Sequence, residues 1–301
     1  MTRSVFLGTP LASVPALQAL HDLTDIQLVV TRPDRPQGRG RRLAPSPVKV
    51  AANELGLESA QLERSADLET VVAAAGPIDV GVVVAFGMIL RPEVLTVPRR
   101  GFLNVHFSLL PRWRGAAPVE RAIMEGDAVT GVTIMEMDEG LDTGGIVTRR
   151  EMSIPPTVTA GEMTVRLAGA GAALLAEVLP AWLEGDIRAV AQPAGSATYA
   201  HKIEAGDRRL SPQMTRTEFA NTVRAMAPEP GAQLAIDEVV HKILAIEAVD
   251  AAPPPGRWLE ANGRPVLGVA DGGVALSRIQ PPGKQPMDGE AWLRGHQLPS
   301  A

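Results

Sequence analysis

The chain of 301 residues carries no cysteine and a formal net charge of −5. The lack of cysteine excludes disulfides and thiolate metal sites, and it is typical of a cytoplasmic protein. The net charge excludes a protein coated with nucleic acid along its length. We find neither a signal peptide nor a run of about 20 apolar residues, and therefore expect a soluble protein without a membrane segment. The length predicts two domains of about 150 residues each.

Strand-like apolar segments alternate with helical patterns in the first third of the chain. Residues 5–7, 26–31, 79–87 and 101–107 have the composition of buried strands, and residues 11–20 have helical spacing. A further helix is predicted after Ser46, which caps it, with Pro47 in its first position and Gly56 just past its end. This alternation predicts an open, mostly parallel α/β sheet, in which ligands bind outside the carboxyl ends of the strands.

The middle of the chain adds two strands and a long helix. The strands are "GVTIMEM" and "GIVTRREMSI", joined by "DEGLDTG", and the helix covers roughly residues 160–184, where Pro180 is expected to kink or shorten it. The character of the sequence then changes to short strands between turn clusters, with one helix near residues 217–227. We predict a first domain over residues 1–186, an extended linker over 187–205, and a smaller, mostly β domain over 206–301.

One segment, residues 31–49, is strongly basic. Its only acid, Asp34, faces six basic residues: Arg32, Arg35, Arg39, Arg41, Arg42 and Lys49. The segment is rich in proline and glycine and has no periodicity. We therefore predict a mobile basic arm suited to a polyanion or phosphate.

The end of the fourth strand carries the residues best suited to chemistry. Asn104 and His106 are two positions apart, so their side chains point to the same strand face. An amide beside an imidazole is an arrangement that holds a developing oxyanion. A carboxylate that orients the imidazole is expected from the glycine-containing loop, where Asp142 is the best candidate and Asp138 and Glu139 are rivals by residue type.

Other kinds of site have no support in the sequence. There is no nucleophile elbow, no metal-ligand spacing and no G-x-G-x-x-G element after the first strand. No metal site is therefore predicted. The residues alone indicate attack on a carbonyl carbon, with Asn104 and His106 stabilising the tetrahedral intermediate.

Two motifs, "NVHFSLLPRWRGAAP" and "MDEGLDTG", jointly resemble those of the formyltransferases that use 10-formyltetrahydrofolate. The segments "FLGTP", "PDRPQGRGRRLAPSPVK", "VVVAFGMIL", "TGVTIMEMD", "TYAHKI" and "IQPPGKQPM" resemble the methionyl-tRNA formyltransferase family, in that family's order and over nearly the whole chain. The resemblance implies a Rossmann-like formyltransferase fold with a C-terminal OB-like β-barrel. It also implies transfer of a formyl group to the amino group of methionine on initiator tRNA.

The resemblance assigns roles to individual residues. Asn104, His106 and Asp142 correspond to the family's catalytic trio. The folate-contacting positions are Phe86, Gly87, Met88, Ile89, Leu90, Ser108, Leu109, Leu110, Pro111, Asp138, Gly140, Leu141 and Thr143. The tRNA-binding positions are Arg35, Arg39, Arg41 and Arg42 of the basic segment, and Lys284 is a candidate contact in the second domain, which has no basic excess. Phe107 departs from the pattern, because a small residue is expected there.

The resemblance leaves alternatives open. The chain could be another 10-formyltetrahydrofolate-dependent formyltransferase or hydrolase of the superfamily, although "RWRGAAP" and the basic arm favour the tRNA branch. It could also be a non-catalytic binding protein for tRNA or folate. The enzyme interpretation requires that Asn104, His106 and Asp142 share one pocket. We expect a cytoplasmic monomer.

Overall fold

The computed structural model describes residues 1–37 and 42–298. The chain forms two compact units. The first comprises Met1–Pro118, Val129–Ser153 and Thr164–Ala200, and the second comprises Val119–Ala128, Ile154–Met163 and the chain from His201 onward. Two short segments that precede His201 in the chain thus belong to the second unit. The predicted boundaries after residues 186 and 205 stay predictions.

The strands and helices of the described chain follow the predicted alternation. The strands are β1 (Arg3–Gly8), β2 (Asp25–Thr31), β3 (Arg35–Gln37), β4 (Arg42–Ala44), β5 (Ser59–Gln61), β6 (Val80–Val84), β7 (Phe102–His106), β8 (Arg114–Gly115), β9 (Val129–Glu136), β10 (Ile146–Ser153), β11 (Tyr199–Ala200), β12 (Ala232–Ile236), β13 (Val239–Val249), β14 (Trp258–Ala261), β15 (Arg264–Val269), β16 (Gly272–Gln280) and β17 (Met287–Asp288). The helices are α1 (Val14–Leu23), α2 (Pro47–Glu54), α3 (Leu68–Ala74), α4 (Pro92–Leu95), α5 (Pro118–Met124), α6 (Ala160–Glu184), α7 (Arg216–Met226) and α8 (Gly289–Leu293).

The first unit is built on a sheet with, in the described residues, the strand order β10-β9-β7-β6-β1-β2-β5. The strands from β5 to β7 are parallel, whereas β9 and β10 add antiparallel pairs at one edge. The chain runs from β1 outward to β2 and β5, then returns to place β6 on the other side of β1. This reversal of strand order creates a crevice at the carboxyl ends of β1 and β6, the usual place for a ligand in such sheets.

Buried apolar side chains hold the parallel strands in place. One core cluster joins β1, β2 and β6 to α3 and to the segment after β6, and Phe86 and Phe102 are among its largest members. Phe102 packs so closely on Gly81 that a Cβ at position 81 would overlap its ring. The helix α2 begins as predicted, since the Ser46 hydroxyl accepts the Lys49 N–H at 3.1 Å and Pro47 occupies the first turn.

The long helix α6 covers the predicted residues, and two features of it bear on the sequence analysis. It continues through Pro180 to Glu184, so the proline does not shorten it. It is also, in the described chain, long and apolar enough to cross a membrane by length and composition, with a mean hydropathy of 1.3. Core helices of soluble proteins meet the same criterion. Here the helix packs on the sheet, where a Cβ at Gly171 would lie 2.6 Å from Val105.

The described part of the basic segment is more ordered than predicted. Strands β3 and β4 form an antiparallel ladder, with Arg35 opposite Ala44 and Pro36 opposite Leu43. At the base of this ladder the Lys49 ammonium donates to the Asp34 carboxylate at 3.0 Å, and the Gln61 amide donates to the same carboxylate at 2.6 Å. These hydrogen bonds lower the pKa of Asp34. The described ends of the predicted basic arm are therefore paired strands, and the mobility of the arm stays a prediction.

The second unit is a strand-rich antiparallel domain. Its described strands pair in the order β12-β13-β16-β15-β14, and β17 pairs with β16. A capping box starts α7, in which the Thr215 hydroxyl and the Glu218 carboxylate each accept from the other's backbone N–H. The predicted fold class is confirmed: a mostly parallel formyltransferase-type sheet precedes an antiparallel domain consistent with an OB-like barrel.

Candidate active site

A cavity of about 520 Å³ opens at the carboxyl ends of β6 and β7. Its walls are the segment after β6, the end of β7 and the loop before β10. Its volume lies in the range of small-molecule sites, roughly 300–1,000 Å³. Asn104, His106 and Asp142 all line it, so the requirement stated above for the enzyme interpretation is met.

The three polar side chains lie against one another. The Asn104 amide nitrogen is 3.5 Å from Asp142 Oδ1, and His106 Nδ1 is 3.7 Å from Asp142 Oδ2. His106 is only 6% exposed. Because both separations are longer than good hydrogen bonds, the amide and the imidazole each retain capacity for an oxygen atom placed between them.

A backbone carbonyl fixes the orientation of the His106 ring. His106 Nε2 lies 2.9 Å from the Trp113 carbonyl oxygen. A carbonyl only accepts, so Nε2 carries a proton and Nδ1 is the nitrogen that faces Asp142. Trp113 reaches this position with a φ of +64°, a left-handed conformation that is rare for a bulky residue.

Asp142 is held by backbone contacts on both sides. Its Oδ2 accepts the Gly115 N–H at 2.7 Å, and Asp142 itself adopts a left-handed φ of +52°. Gly115 lies in β8, which pairs with β11, and a Cβ at Gly115 would lie only 2.7 Å from the Ala200 carbonyl oxygen. Glycine is therefore required where the chain presents its N–H to the carboxylate.

Gln192 holds the loop that carries Asp142. Its Nε2 donates to the carbonyl oxygens of Asp142 and Gly144, at 2.8 Å each. Its Oε1 accepts from Nε and Nη2 of Arg114, at 3.0 and 2.7 Å. The sequence analysis missed Gln192, because it lies in the predicted linker and no local motif marks it.

The rival carboxylates have other surroundings. Asp138 Oδ1 accepts from the Thr143 hydroxyl at 2.7 Å and from the Gly140 N–H at 3.1 Å, so it shapes the loop from within. Glu139 lines the cavity. Among the described residues, the ion-pair geometry with His106 belongs to Asp142.

Most of the predicted folate-contacting residues line the cavity. Ile89 and Leu141 are 75% and 57% exposed, which is unusual for large apolar side chains and suits a surface that a ligand covers. Thr143 is not on the cavity wall, and its hydroxyl donates a hydrogen bond to Asp138. The predicted residues on the cavity wall are Phe86, Gly87, Met88, Ile89, Leu90, Asp138, Gly140 and Leu141.

The segment Ser108, Leu109, Leu110 and Pro111 has a different placement. Within residues 1–37 and 42–298, the cavity wall does not include any of the four. The Ser108 hydroxyl donates to the Arg112 carbonyl at 2.6 Å, and the Thr133 hydroxyl accepts from the Leu110 N–H at 3.1 Å. Their contacts are those of a turn packed into the sheet. Phe107, whose role was open, is buried and lines the cavity.

The predicted tRNA-binding residues are spread over the chain. Arg35 and Arg42 are exposed on the β3–β4 ladder, and Lys284 is exposed in the turn after β16. Arg39 and Arg41 lie outside the described residues. No group of three or more potential metal ligands occurs in the part of the chain that the structure describes.

Comparison with family models identifies both parts of the chain. Residues 2–179 match the family described as formyl transferase, and residues 202–297 match the formyl transferase C-terminal domain. The two matches together span nearly the whole chain.

Solved structures support the fold. HypX from Aquifex aeolicus in complex with tetrahydrofolic acid superposes with a TM-score of 0.68 at 18% identity, covering 97% of this chain and 46% of that one. WlaRD, a sugar 3N-formyl transferase solved in the presence of dTDP and 5-N-formyl-THF, has a TM-score of 0.68 at 18% identity, covering 95% of this chain and 99% of that one. At these identities the likeness shows the fold alone.

Full-length relatives are more similar. The methionyl-tRNA formyltransferase of Clavibacter sepedonicus is 43% identical over 299 residues, covering 97% of each chain. That of Halorhodospira halophila is 43% identical over 300 residues, covering 98% of this chain and 97% of its own. Family match, fold and identity over the full length agree, and the chain belongs to the methionyl-tRNA formyltransferases of the formyl transferase family.

Proposed function

We propose that the protein transfers the formyl group of 10-formyltetrahydrofolate to the α-amino group of methionyl-initiator tRNA, for translation initiation. The observation that carries the proposal is the convergence of Asn104, His106 and Asp142 in one cavity, in a chain 43% identical to methionyl-tRNA formyltransferases over almost its full length.

The cavity suits the folate co-substrate. A pterin ring is flat and largely apolar on its faces, with hydrogen-bonding groups at its edge. The side chains of Phe86, Met88 and Leu90 supply apolar walls, and the loop from Met137 to Asp142 supplies polar groups. This combination of apolar walls and a few directed polar groups is typical of cofactor sites. The folate carries the activated formyl carbon.

The polar trio acts on the reacting carbonyl. We assign the Asn104 amide and the His106 Nδ1–H to the oxygen that becomes negative when the amine attacks, because both face the gap in front of Asp142. The Trp113 carbonyl accepts a hydrogen bond from His106 Nε2, and this bond keeps Nδ1 directed into the cavity. The Asp142 carboxylate balances the charge of the protonated imidazole.

Proton balance assigns a further role to Asp142. A carbon–nitrogen bond forms between the α-amine and the formyl carbon, the bond from that carbon to N10 breaks, the amine loses a proton and N10 gains one. Asp142 is the carboxylate in the cavity nearest to both Asn104 and His106. We assign it the transfer of this proton, through a water molecule.

The basic residues of the β3–β4 ladder would contact the tRNA. Arg35 and Arg42 lie exposed on opposite strands of the ladder, and Lys49 and Gln61 fix its base through Asp34. Arginines on a rigid backbone increase the affinity for RNA phosphates, and this contribution does not depend on the base sequence. We also propose that the protein acts as a cytoplasmic monomer, which sedimentation of the purified protein would test.

The direct test is formyl transfer to charged initiator tRNA in the presence of competing acceptors. Purified protein, 10-formyltetrahydrofolate and methionyl-initiator tRNA should give formylmethionyl-tRNA. Charged elongator methionine tRNA and glycinamide ribonucleotide should react far more slowly. Preferential formylation of a small amine acceptor would contradict the proposal, and release of formate without acceptor would indicate a hydrolase.

A further inference from the structure

The residue whose carbonyl orients the His106 ring is itself held by a side chain from a distant part of the chain. His106 Nε2 lies 2.9 Å from the Trp113 carbonyl oxygen. The backbone N–H of Trp113 donates to the Thr198 hydroxyl, also at 2.9 Å, across 85 positions of sequence. One threonine side chain therefore supports the residue on which the direction of the His106 ring depends.

Trp113 needs this support because its backbone conformation is unfavourable. Its φ of +64° is left-handed, and a bulky residue keeps such a conformation only where neighbouring contacts determine it. Trp113 is also only 8% exposed, and a backbone N–H in a buried residue is costly without a partner. Removal of the Thr198 hydroxyl should therefore favour another conformation of Trp113, in which its carbonyl moves away from His106.

The backbone of Thr198 binds the same turn independently of its side chain. Its N–H donates to the Pro111 carbonyl at 3.2 Å, and its carbonyl accepts from the Arg114 N–H at 2.9 Å. Valine has nearly the shape of threonine and is also branched at Cβ. These two backbone bonds should therefore persist when valine replaces Thr198, so that the substitution tests the hydroxyl alone.

The Thr198 hydroxyl reaches the site only through other residues. In the part of the chain that the structure describes, neither Thr198 nor Trp113 lines the cavity. A protonated imidazole has two N–H groups that both need an acceptor. The Trp113 carbonyl accepts the one on Nε2, which leaves the one on Nδ1 for the oxygen of the reacting carbonyl group. An effect of Thr198 on the reaction thus passes through His106.

We propose that Thr198 is a positioning residue for the formyl transfer. Its hydroxyl holds Trp113 in the conformation in which the Trp113 carbonyl accepts from His106 Nε2, so that Nδ1 stays directed at the reacting oxygen. This inference rests on the proposed function and deepens it, because it adds to the catalytic trio a residue from the segment that follows α6.

The first test is kinetic. Thr198→Val should lower kcat about 2- to 13-fold, the change that one neutral hydrogen bond accounts for, and should leave the KM for both substrates within about twofold. Thr198→Ser keeps the hydroxyl and should retain the wild-type kcat. Thr159→Val is the matched control, because Thr159 is equally half-buried and its hydroxyl accepts the Glu162 N–H at 3.3 Å, at the start of α6. It should lower the thermal stability and leave kcat unchanged.

The second test observes the His106 ring directly. The protein is labelled with ¹⁵N-histidine, and the His106 signals are assigned by their absence from a His106→Asn variant. In alkaline solution, where an imidazole is neutral, two-bond ¹H–¹⁵N spectra show which ring nitrogen carries the proton. It should be Nε2 in the wild type, in Thr198→Ser and in Thr159→Val. In Thr198→Val the signals should move toward the form protonated on Nδ1.

Four results would overturn the inference. They are a wild-type kcat in Thr198→Val, an equal loss of kcat in Thr198→Ser, an equal loss in Thr159→Val, and the same protonated nitrogen in Thr198→Val as in the wild type. A wild-type protein that does not formylate methionyl-tRNA would instead refute the proposed function, and the spectra would still report whether Thr198 orients His106.

Discussion

Replacing Gln192 by leucine should slow catalysis, although Gln192 is not one of the residues that line the cavity. Gln192 is not on the cavity wall in the described chain, yet its Nε2 donates to the carbonyl oxygens of Asp142 and Gly144. Leucine is one bond shorter and has no polar atom. It therefore leaves both carbonyls and the Arg114 guanidinium without their partner. Asp142, held in a left-handed conformation, then has less to keep its carboxylate beside His106.

The expected size follows from the hydrogen bonds. Each neutral hydrogen bond contributes a net ~0.5–1.5 kcal/mol, so loss of the two bonds to the loop costs about 1–3 kcal/mol of the preference for the productive position. One decade of rate corresponds to about 1.4 kcal/mol. We therefore expect kcat to fall about 5- to 150-fold. The KM for either substrate should change by less than about threefold, because Gln192 does not itself line the cavity and therefore does not contact a bound substrate there.

Two variants make this experiment specific. Gln192→Glu keeps the acceptor toward Arg114 but removes the donor toward the loop, so it should lose kcat like leucine. Gln27→Leu is the matched control, since Gln27 also joins an arginine, Arg3, to a backbone carbonyl, that of Asp25, but at the amino end of β2. Its kcat should equal that of the wild type. Steady-state formylation and thermal unfolding are measured for all three.

The reasoning would be refuted by a Gln192→Leu enzyme with wild-type kcat. It would also be refuted if kcat fell only in proportion to the unfolded fraction, because Gln192 would then be a purely structural residue. A selective rise in the KM for tRNA would indicate that Gln192 contacts the substrate directly.

Three further predictions concern other parts of the molecule. Asn104→Ala should lower turnover about 100- to 1,000-fold while folate still binds in equilibrium titration; near-normal single-turnover formylation would contradict the oxyanion assignment. The double change Arg35→Ala and Arg42→Ala should raise the KM for tRNA. It should also reduce the slope of the logarithm of the tRNA association constant against the logarithm of salt concentration by about 1.4–1.8. An equal loss of folate binding would mean that the ladder is only structural. In the second unit, Arg121 donates a hydrogen bond to Asp207 at 2.7 Å and lowers the pKa of Asp207. The ionised Asp207 therefore stabilises the folded state at pH values above its ordinary pKa of about 4. This contribution disappears as the pH falls through the lowered pKa. Asp207→Asn should therefore cost about 1–3 kcal/mol at pH 7, and denaturant unfolding should show that gap closing on acidification; a gap independent of pH would contradict the ion pair.

The trio could be proposed from the sequence because its members have local signatures. Asn104 and His106 are two positions apart in an apolar run, and the period of a strand places them on one face. Asp142 lies in a loop whose glycines stand out in the sequence. The strand order that brings this loop to β7 is also favoured locally, since β9 and β10 are close along the chain and pair in antiparallel fashion.

The partners of the trio could not be predicted in the same way. The Trp113 carbonyl and the Gly115 N–H are backbone groups, which every residue type has, so no side chain marks their role. Gln192 is 50 residues from Asp142, and only the folded chain joins them. The turn after His106 is the opposite case. Its residues form a motif that suggested folate contact, which stays a prediction, and the hydrogen bonds that the structure gives them join the turn to Thr133.

The pairing of β8 with β11 has a consequence for how this protein can be divided. Thr198 and Ala200 accept hydrogen bonds from the backbone N–H groups of Arg114 and Ala116, at 2.9 and 2.8 Å. A fragment cut at residue 186 would lack these contacts and would also lack Gln192. Gene fusions or chimeras should therefore not be joined at residue 186, because the chain from there to Ala200 belongs to the first unit.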